Sequence, residues 1–120
     1  MVKKNACVFI SGQGTNLKYL IKNSREYLFP IKINLVISNN SKAQGILIAK
    51  KNSIPYAIIN TKKRNFENII LKKMKEHRIS LICLAGYMKI LSKKFIQNCR
   101  KKIINIHPSL LPKFKGLNTF

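Results

Sequence analysis

Residues 5–16 read NACVFISGQGTN, and this segment decides the fold of the 120-residue chain. Its first seven residues form a mostly apolar run that is typical of a buried β-strand, and the GQG loop at 12–14 ends that run. From residue 15 onward the apolar residues recur at helical spacing, which predicts a helix over 15–25. A strand, a glycine loop and a helix in this order are typical of a parallel βαβ unit.

The same alternation continues along the chain. We predict further strands over 32–38, 56–59, 80–84 and 102–105, and further helices beginning near Ser41 and covering 65–77 and 92–99. The NNS segment at 39–41 would supply turn and cap chemistry for the second helix, and its buried face would hold Ile46, Ala49 and the stem of Lys50. The expected fold class is therefore α/β, a Rossmann-like parallel sheet with helices on both faces.

In such a sheet, ligands bind beyond the carboxyl ends of the strands, which selects the loops at 11–16, 85–92 and 105–116. The glycines of the first loop allow close backbone approach, and the helix that follows presents free N–H groups to an anion. The loop is not a dinucleotide fingerprint, because Leu17 occupies the third glycine position. The loop alone leaves two interpretations open: a phosphate cradle, or a tight turn in which Thr15 caps the helix.

The third loop begins with NIHPSLLP at 105–112. Strand alternation places Asn105 and His107 on the same side, so that one amide and one imidazole project together into the crevice. An amide can donate a hydrogen bond to a developing oxyanion, and a neutral imidazole can accept or return a proton. This pair is suited to acyl transfer, although the residues alone equally allow a strand end that only closes a loop.

The chain carries 24 basic and 3 acidic residues, a formal net charge of +21. Its carboxylates are Glu26, Glu67 and Glu76, and it contains no aspartate. Such a charge would suggest a nucleic-acid partner. However, lysine occurs 20 times and arginine only 4 times, and the aromatic residues are not clustered among them. We therefore interpret the charge as lysine drift in an AT-rich coding sequence and predict no specific nucleic-acid partner.

The three cysteines, at positions 7, 83 and 99, lack any C-x-x-C spacing. We predict neither a metal site nor a disulfide framework, with Cys7 and Cys83 behaving as small buried hydrophobes. The longest apolar run, 81–88, is too short to span a bilayer. We expect a cytoplasmic protein with no membrane partner.

Three segments together carry a family resemblance: SGQGTN at 11–16, LAGYMKILS at 84–92 and NIHPSLLPKFKG at 105–116. In this order and spacing they resemble the folate-dependent formyltransferases, and the resemblance covers the whole chain. It points to the branch that transfers a formyl group from 10-formyltetrahydrofolate to glycinamide ribonucleotide in purine (IMP) biosynthesis. It implies the formyltransferase fold, small-molecule substrates and no metal, with Asn105 and His107 as the catalytic pair.

The resemblance also implies substrate-binding residues. The ribonucleotide would lie against Gly14, Thr15, Asn16 and Pro108, and the folate against Lys63, Arg64, Met88, Lys89, Ile90, Leu91 and Asn105. Lys89 stands where the family often has an arginine. The register near the third helix is loose, so either Lys63 or Arg64 is the basic residue that meets the folate.

Two departures from the family pattern concern activity. The family has a catalytic aspartate in a C-terminal half, and its members are considerably longer. We therefore expect residues 1–120 to be a single N-terminal formyltransferase domain, truncated so that the C-terminal part is missing, and inactive alone. The alternatives are a formyltetrahydrofolate deformylase and a catalytically dead anion- or RNA-binding domain.

Overall fold

A computed structural model describes residues 2–10, 15–85, 91–99 and 103–105, with the backbone alone at 15, 16 and 105. The strands are β1 (Lys4–Ile10), β2 (Ile31–Ser38), β3 (Tyr56–Ile58), β4 (Leu81–Leu84) and β5 (Ile103–Asn105). The helices are α1 (Thr15–Ser24), α2 (Gln44–Lys51), α3 (Phe66–Glu76) and α4 (Lys93–Asn98). Within these described ranges, no helix is long and apolar enough to cross a membrane.

The strands form one parallel sheet in the order β3-β2-β1-β4-β5. The chain builds outward from β1 in one direction through β2 and β3, and then returns to the other side of β1 for β4 and β5. This order reverses between β1 and β4, and such a switch point opens a crevice at the carboxyl ends of the two strands. The predicted fold class is confirmed.

The sheet is covered on both faces, as its uninterrupted apolar strands require. Alternate residues of β1 enter two separate cores: Ala6, Val8 and Ile10 pack with α1 and α2, whereas Cys7 and Phe9 pack with α3 and α4. Both Cys7 and Cys83 are fully buried, which confirms that their thiols belong to the core.

The second helix differs from its prediction in where it begins and in the exposure of Lys50. It begins at Gln44, and its N-cap residue, Ala43, makes no side-chain cap hydrogen bond. The predicted cap chemistry forms a turn before the helix, because the Lys42 N–H donates to Asn40 Oδ1 at 2.9 Å. The prediction for Lys50 was also wrong: it is exposed, and its ammonium lies 5.4 Å from the centre of the Tyr56 ring.

The buried stripe of α2 instead runs through Gly45, Ile46 and Ala49. Gly45 is needed because the helix crosses close to the end of β1. A Cβ atom at this position would overlap Ile10 Cδ1 and lie 3.3 Å from Leu17 Cδ2. The glycine therefore lets α2 press against the last residue of β1.

Gly45→Ala tests this close approach. Alanine raises helix propensity by about 1 kcal/mol, but overpacking a filled core costs about 1–3 kcal/mol, so we expect a net loss of roughly 1 kcal/mol in unfolding free energy. Urea denaturation measures it. In an Ile10→Val background, which lacks Cδ1, the same substitution should be neutral or stabilising. Equal costs in the two backgrounds would contradict the proposed overlap.

Burial also affects the thiols. It raises the pKa of Cys83 from 9.0 to about 12 and raises the pKa of Cys7 well above 9.0. Between pH 9 and 12 the unfolded chain loses the Cys83 proton while the folded chain keeps it, and the raised pKa of Cys7 acts in the same direction. Stability should therefore fall with rising pH, by up to about 1.4 kcal/mol per pH unit for each thiol.

Comparing Cys83→Ala with the unsubstituted chain isolates this effect, because every other titratable group is present in both proteins. We expect the unfolding free energy of Cys83→Ala to fall less steeply between pH 9 and 11. Equal slopes in urea denaturation over that range would show that the Cys83 thiol does not keep its proton in the folded state.

Candidate active site

The carboxyl ends of four strands lie level along one edge of the sheet. Ile10 is paired with Ser38 of β2, Phe9 with Leu84 of β4, and Leu84 in turn with Asn105 of β5. The Ala85 N–H extends the β4 pairing by donating to the Phe9 carbonyl at 3.0 Å. The ends of β1, β4 and β5 therefore lie side by side, as the parallel topology predicts.

Buried polar groups of Ser38 and Asn39 lie at the carboxyl end of β2, beside this edge. Ser38 is fully buried, and its hydroxyl accepts from the Asn40 N–H and donates to the Asn40 carbonyl, both at 3.0 Å. Between them, the Asn39 side-chain oxygen is buried and accepts no hydrogen bond within the described part of the chain. An unsatisfied buried acceptor costs free energy, so this oxygen is available to a hydroxyl or amide donor.

The residues that follow the β4 loop, Leu91 and Ser92, are fixed by packing and by hydrogen bonds. Leu91 is 8% exposed and packs in the core with Phe95, which is 1% exposed. Both oxygens of the Glu67 carboxylate accept hydrogen bonds from Ser92: one from its N–H at 2.7 Å and one from its hydroxyl at 2.5 Å. The same hydroxyl accepts from the Phe95 N–H at 3.0 Å and so caps α4.

The described residues include some of the predicted site. Thr15 and Asn16 are the first two residues of α1, Leu91 is buried after the β4 loop, and Asn105 is the last residue of β5. The predicted residues Gly14, Met88, Lys89, Ile90, His107 and Pro108 lie outside the described residues.

The two candidate folate cations line different hollows. Arg64 borders a cavity of about 190 Å³ between the starts of α3 and α4, together with Glu67 and Lys94. Lys63 borders a hollow of about 370 Å³ along the edge strand β3, together with Lys73. Because their surroundings differ, separate substitutions of these neighbours can distinguish their roles.

A third hollow, of about 560 Å³, gathers basic side chains along α1. It is lined by Lys18, Tyr19, Lys22 and Arg25, and Arg25 is held in place by donating to the side-chain and backbone oxygens of Asn52 at 3.1 and 3.0 Å. This hollow could attract an anion. Across the described ranges, no three His, Cys, Asp or Glu side chains group as metal ligands would.

Comparison with known proteins identifies the family. Residues 4–120 match the family model described as formyl transferase. The chain belongs to the formyl transferase family. A phosphoribosylglycinamide formyltransferase of Haemophilus influenzae is 46% identical over 123 residues, covering 98% of this chain and 57% of the relative. The human trifunctional purine biosynthetic protein adenosine-3 is 42% identical over 120 residues, covering 97% of this chain and 12% of that protein.

Solved structures of formyl transferases agree with the fold. The phosphoribosylglycinamide formyltransferase of Brucella melitensis superposes with a TM-score of 0.83 at 38% identity, covering 98% of this chain and 64% of that one. The enzyme of the same name from Anaplasma phagocytophilum gives 0.79 at 45% identity, covering 98% and 55%. This chain therefore spans somewhat more than half the length of these two structures and of the Haemophilus influenzae relative.

The sequence prediction missed the contact between Glu67 and Ser92. Both residues lie on predicted helices or their caps, and helix periodicity does not reveal which carboxylate reaches across to a neighbouring element. Two signals were available: the scarcity of carboxylates in the chain, and a serine three residues before the buried Phe95, which is the spacing of an N-cap.

Proposed function

We propose that this chain carries part of an active site that transfers a formyl group from 10-formyltetrahydrofolate to the primary amine of glycinamide ribonucleotide in de novo purine (IMP) biosynthesis. The observation that carries the proposal is the position of Asn105, at the end of β5 and level with the ends of β1 and β4. This residue opens the NIHPSLLP segment. Membership of the formyl transferase family and the names of the relatives support the same reaction.

In this reaction the amine of the ribonucleotide attacks the formyl carbon. The new C–N bond forms while the bond from that carbon to the folate nitrogen breaks, and negative charge develops on the formyl oxygen. The side-chain amide of Asn105 donates a hydrogen bond to that oxygen. His107 assists the same oxygen and takes part in moving the proton from the attacking amine to the folate nitrogen.

The two substrates would approach from the loops beside β1 and β4. The ribonucleotide would lie against Gly14, Thr15, Asn16 and Pro108, and the folate against Met88, Lys89, Ile90, Leu91, Asn105 and one of Lys63 and Arg64. The start of α1 supplies unpaired N–H groups for a phosphate. Because the side chain of Leu91 is buried in the core, this residue would meet the folate through its backbone.

The proposed reaction needs a carboxylate that these 120 residues do not supply. The chain contains no aspartate, and in the structure Glu67 and Glu76 lie on α3 while Glu26 follows α1. In the family resemblance, an aspartate from a C-terminal half orients the histidine. We therefore propose that residues 1–120 are an N-terminal formyltransferase domain that does not turn over alone.

The proposed partners are these two small molecules, in the cytoplasm, with no specific nucleic acid and no metal. The basic hollow along α1 favours one alternative, a catalytically dead anion- or RNA-binding domain. A deformylase, which would pass the formyl group to water, could use the same Asn105 and His107 pair. Formate release that does not depend on the ribonucleotide would identify the deformylase.

A formyl-transfer assay tests the proposal. We would join residues 1–120 to the part of the Haemophilus influenzae relative that this chain does not cover, and call the product the joined protein. The joined protein should transfer the formyl group, whereas residues 1–120 alone should not. In the joined protein, Asn105→Ala should lower kcat by about 10²–10³-fold, because an oxyanion donor is lost.

The second histidine of the chain provides a matched control. His107→Ala should lower kcat by about 10²–10⁴-fold through loss of proton transfer, while His77→Ala, at the end of α3, should leave it unchanged. Undiminished turnover in His107→Ala, or appreciable turnover by residues 1–120 alone, would contradict the assignment. RNA binding that weakens steeply with salt, without ribonucleotide binding, would favour the alternative domain.

Separate alanine substitutions of Lys63 and Arg64 test the folate assignment. Since the two side chains border different hollows, we expect one substitution to raise the KM for 10-formyltetrahydrofolate several-fold and the other to leave it unchanged. The KM for the ribonucleotide should stay constant in both. An unchanged folate KM in both variants would contradict the assignment of either residue to the folate site.

A further inference from the structure

The contact between Glu67 and Ser92 joins two elements that are distant in sequence. Glu67 lies in the first turn of α3, and Ser92 is the N-cap of α4. Both oxygens of the carboxylate are used, one on the Ser92 N–H and one on its hydroxyl. Hydrogen bonds to a carboxylate are stronger than those between neutral groups, and a two-point contact fixes orientation as well as distance.

The partner of Glu67 is unusual for so basic a chain. Glu67 shares its cavity with Arg64 and Lys94, yet both of its oxygens are bonded to an uncharged serine. The other carboxylate of α3, Glu76, behaves as a surface group and lies 3.6 Å from the ammonium of Lys73, with both side chains almost half exposed. Both contacts lie at the surface, so the two glutamates of one helix differ in geometry: Glu67 makes two hydrogen bonds to one residue, whereas Glu76 makes a single ion pair.

Ser92 ends the loop that follows β4. At the start of that loop, the Ala85 N–H is bonded to the Phe9 carbonyl of β1. At its end, Leu91 is buried and Ser92 is held by Glu67 while capping α4. The described residues on either side of 86–90 are therefore each fixed: Ala85 to the central strand and Ser92 to α3.

We infer that Glu67 is a positioning residue for the folate: by holding Ser92, it fixes the backbone of the adjoining Leu91, against which the folate is proposed to lie. This inference rests on the proposed function. Glu67 touches neither substrate in this account, so its loss should raise the KM for the folate and leave kcat nearly unchanged. The KM for the ribonucleotide, which lies by the β1 loop, should not change.

The first test is amide hydrogen exchange on the 120-residue chain. Glu67→Ala removes the acceptor of the Ser92 N–H, so exchange at Ser92 should accelerate by about tenfold or more, with a smaller increase at Phe95. Glu67→Gln keeps one acceptor oxygen and should restore much of the protection. Glu76→Ala is the matched control and should leave both amides unchanged.

The second test is steady-state kinetics of the joined protein. Glu67→Ala should raise the folate KM about three- to tenfold. Ser92→Ala keeps the backbone N–H bond to Glu67 but loses the hydroxyl bond and the cap of α4, so the double variant should raise the KM by less than the two single effects combined. Glu67→Gln should give an intermediate KM. Glu76→Ala should match the unsubstituted protein.

The outcomes separate the inference from the proposed function. A joined protein without formyl transfer contradicts the proposed function, whatever the exchange rates show. A working joined protein whose folate KM is unchanged by Glu67→Ala overturns the inference alone, as does unchanged exchange at Ser92. A fall in kcat with constant folate KM would also overturn it.

Discussion

The parallel pairing of β1 with β2 on one side and β4 on the other is the constraint on which the rest of the molecule depends. It places Ile10, Ser38 and Leu84 at one edge and brings the end of β5 to the same level. Helices must then cover both faces, because a parallel sheet is apolar on both. The switch point between β1 and β4 is a consequence of this pairing, and the chemistry of the family is proposed to occur at its carboxyl end.

Charge and packing are largely separate in this chain. The net charge of +21 comes from 20 lysines and 4 arginines against 3 glutamates, and none of the described lysines is buried. The buried polar residues among those described are Asn23, Ser24 and Ser38. A chain can therefore accumulate lysine without disturbing its core, and the remaining positive field favours an anionic ligand. The contacts of the three glutamates are more informative, because the chain offers each carboxylate many possible cationic partners. That Glu67 contacts Ser92 instead makes the contact informative about the site.

The sequence predicted the order of strands and helices because periods of two and 3.6 residues report burial directly. It failed where a single local contact decides the geometry. Helix α2 begins later than expected because Asn40 closes a turn ahead of it, and an irregularity between Ala6 and Cys7 leaves Asn34 of β2 without a partner on β1. The motifs predicted the loops of the candidate site, whereas Glu67 could not be found from them, because its partner lies on another element.

The central claim is that the ribonucleotide binds at the carboxyl edge of the sheet. Titrating glycinamide ribonucleotide into the isotopically labelled 120-residue chain, at physiological salt, tests it through backbone amide chemical shifts, with inorganic phosphate as a control. We predict that the shifts concentrate at Ile10, at the start of α1, and at Leu84 and Asn105, and that the ribonucleotide perturbs more of them than phosphate does. Shifts confined to the hollow of Lys18, Lys22 and Arg25 would contradict this account.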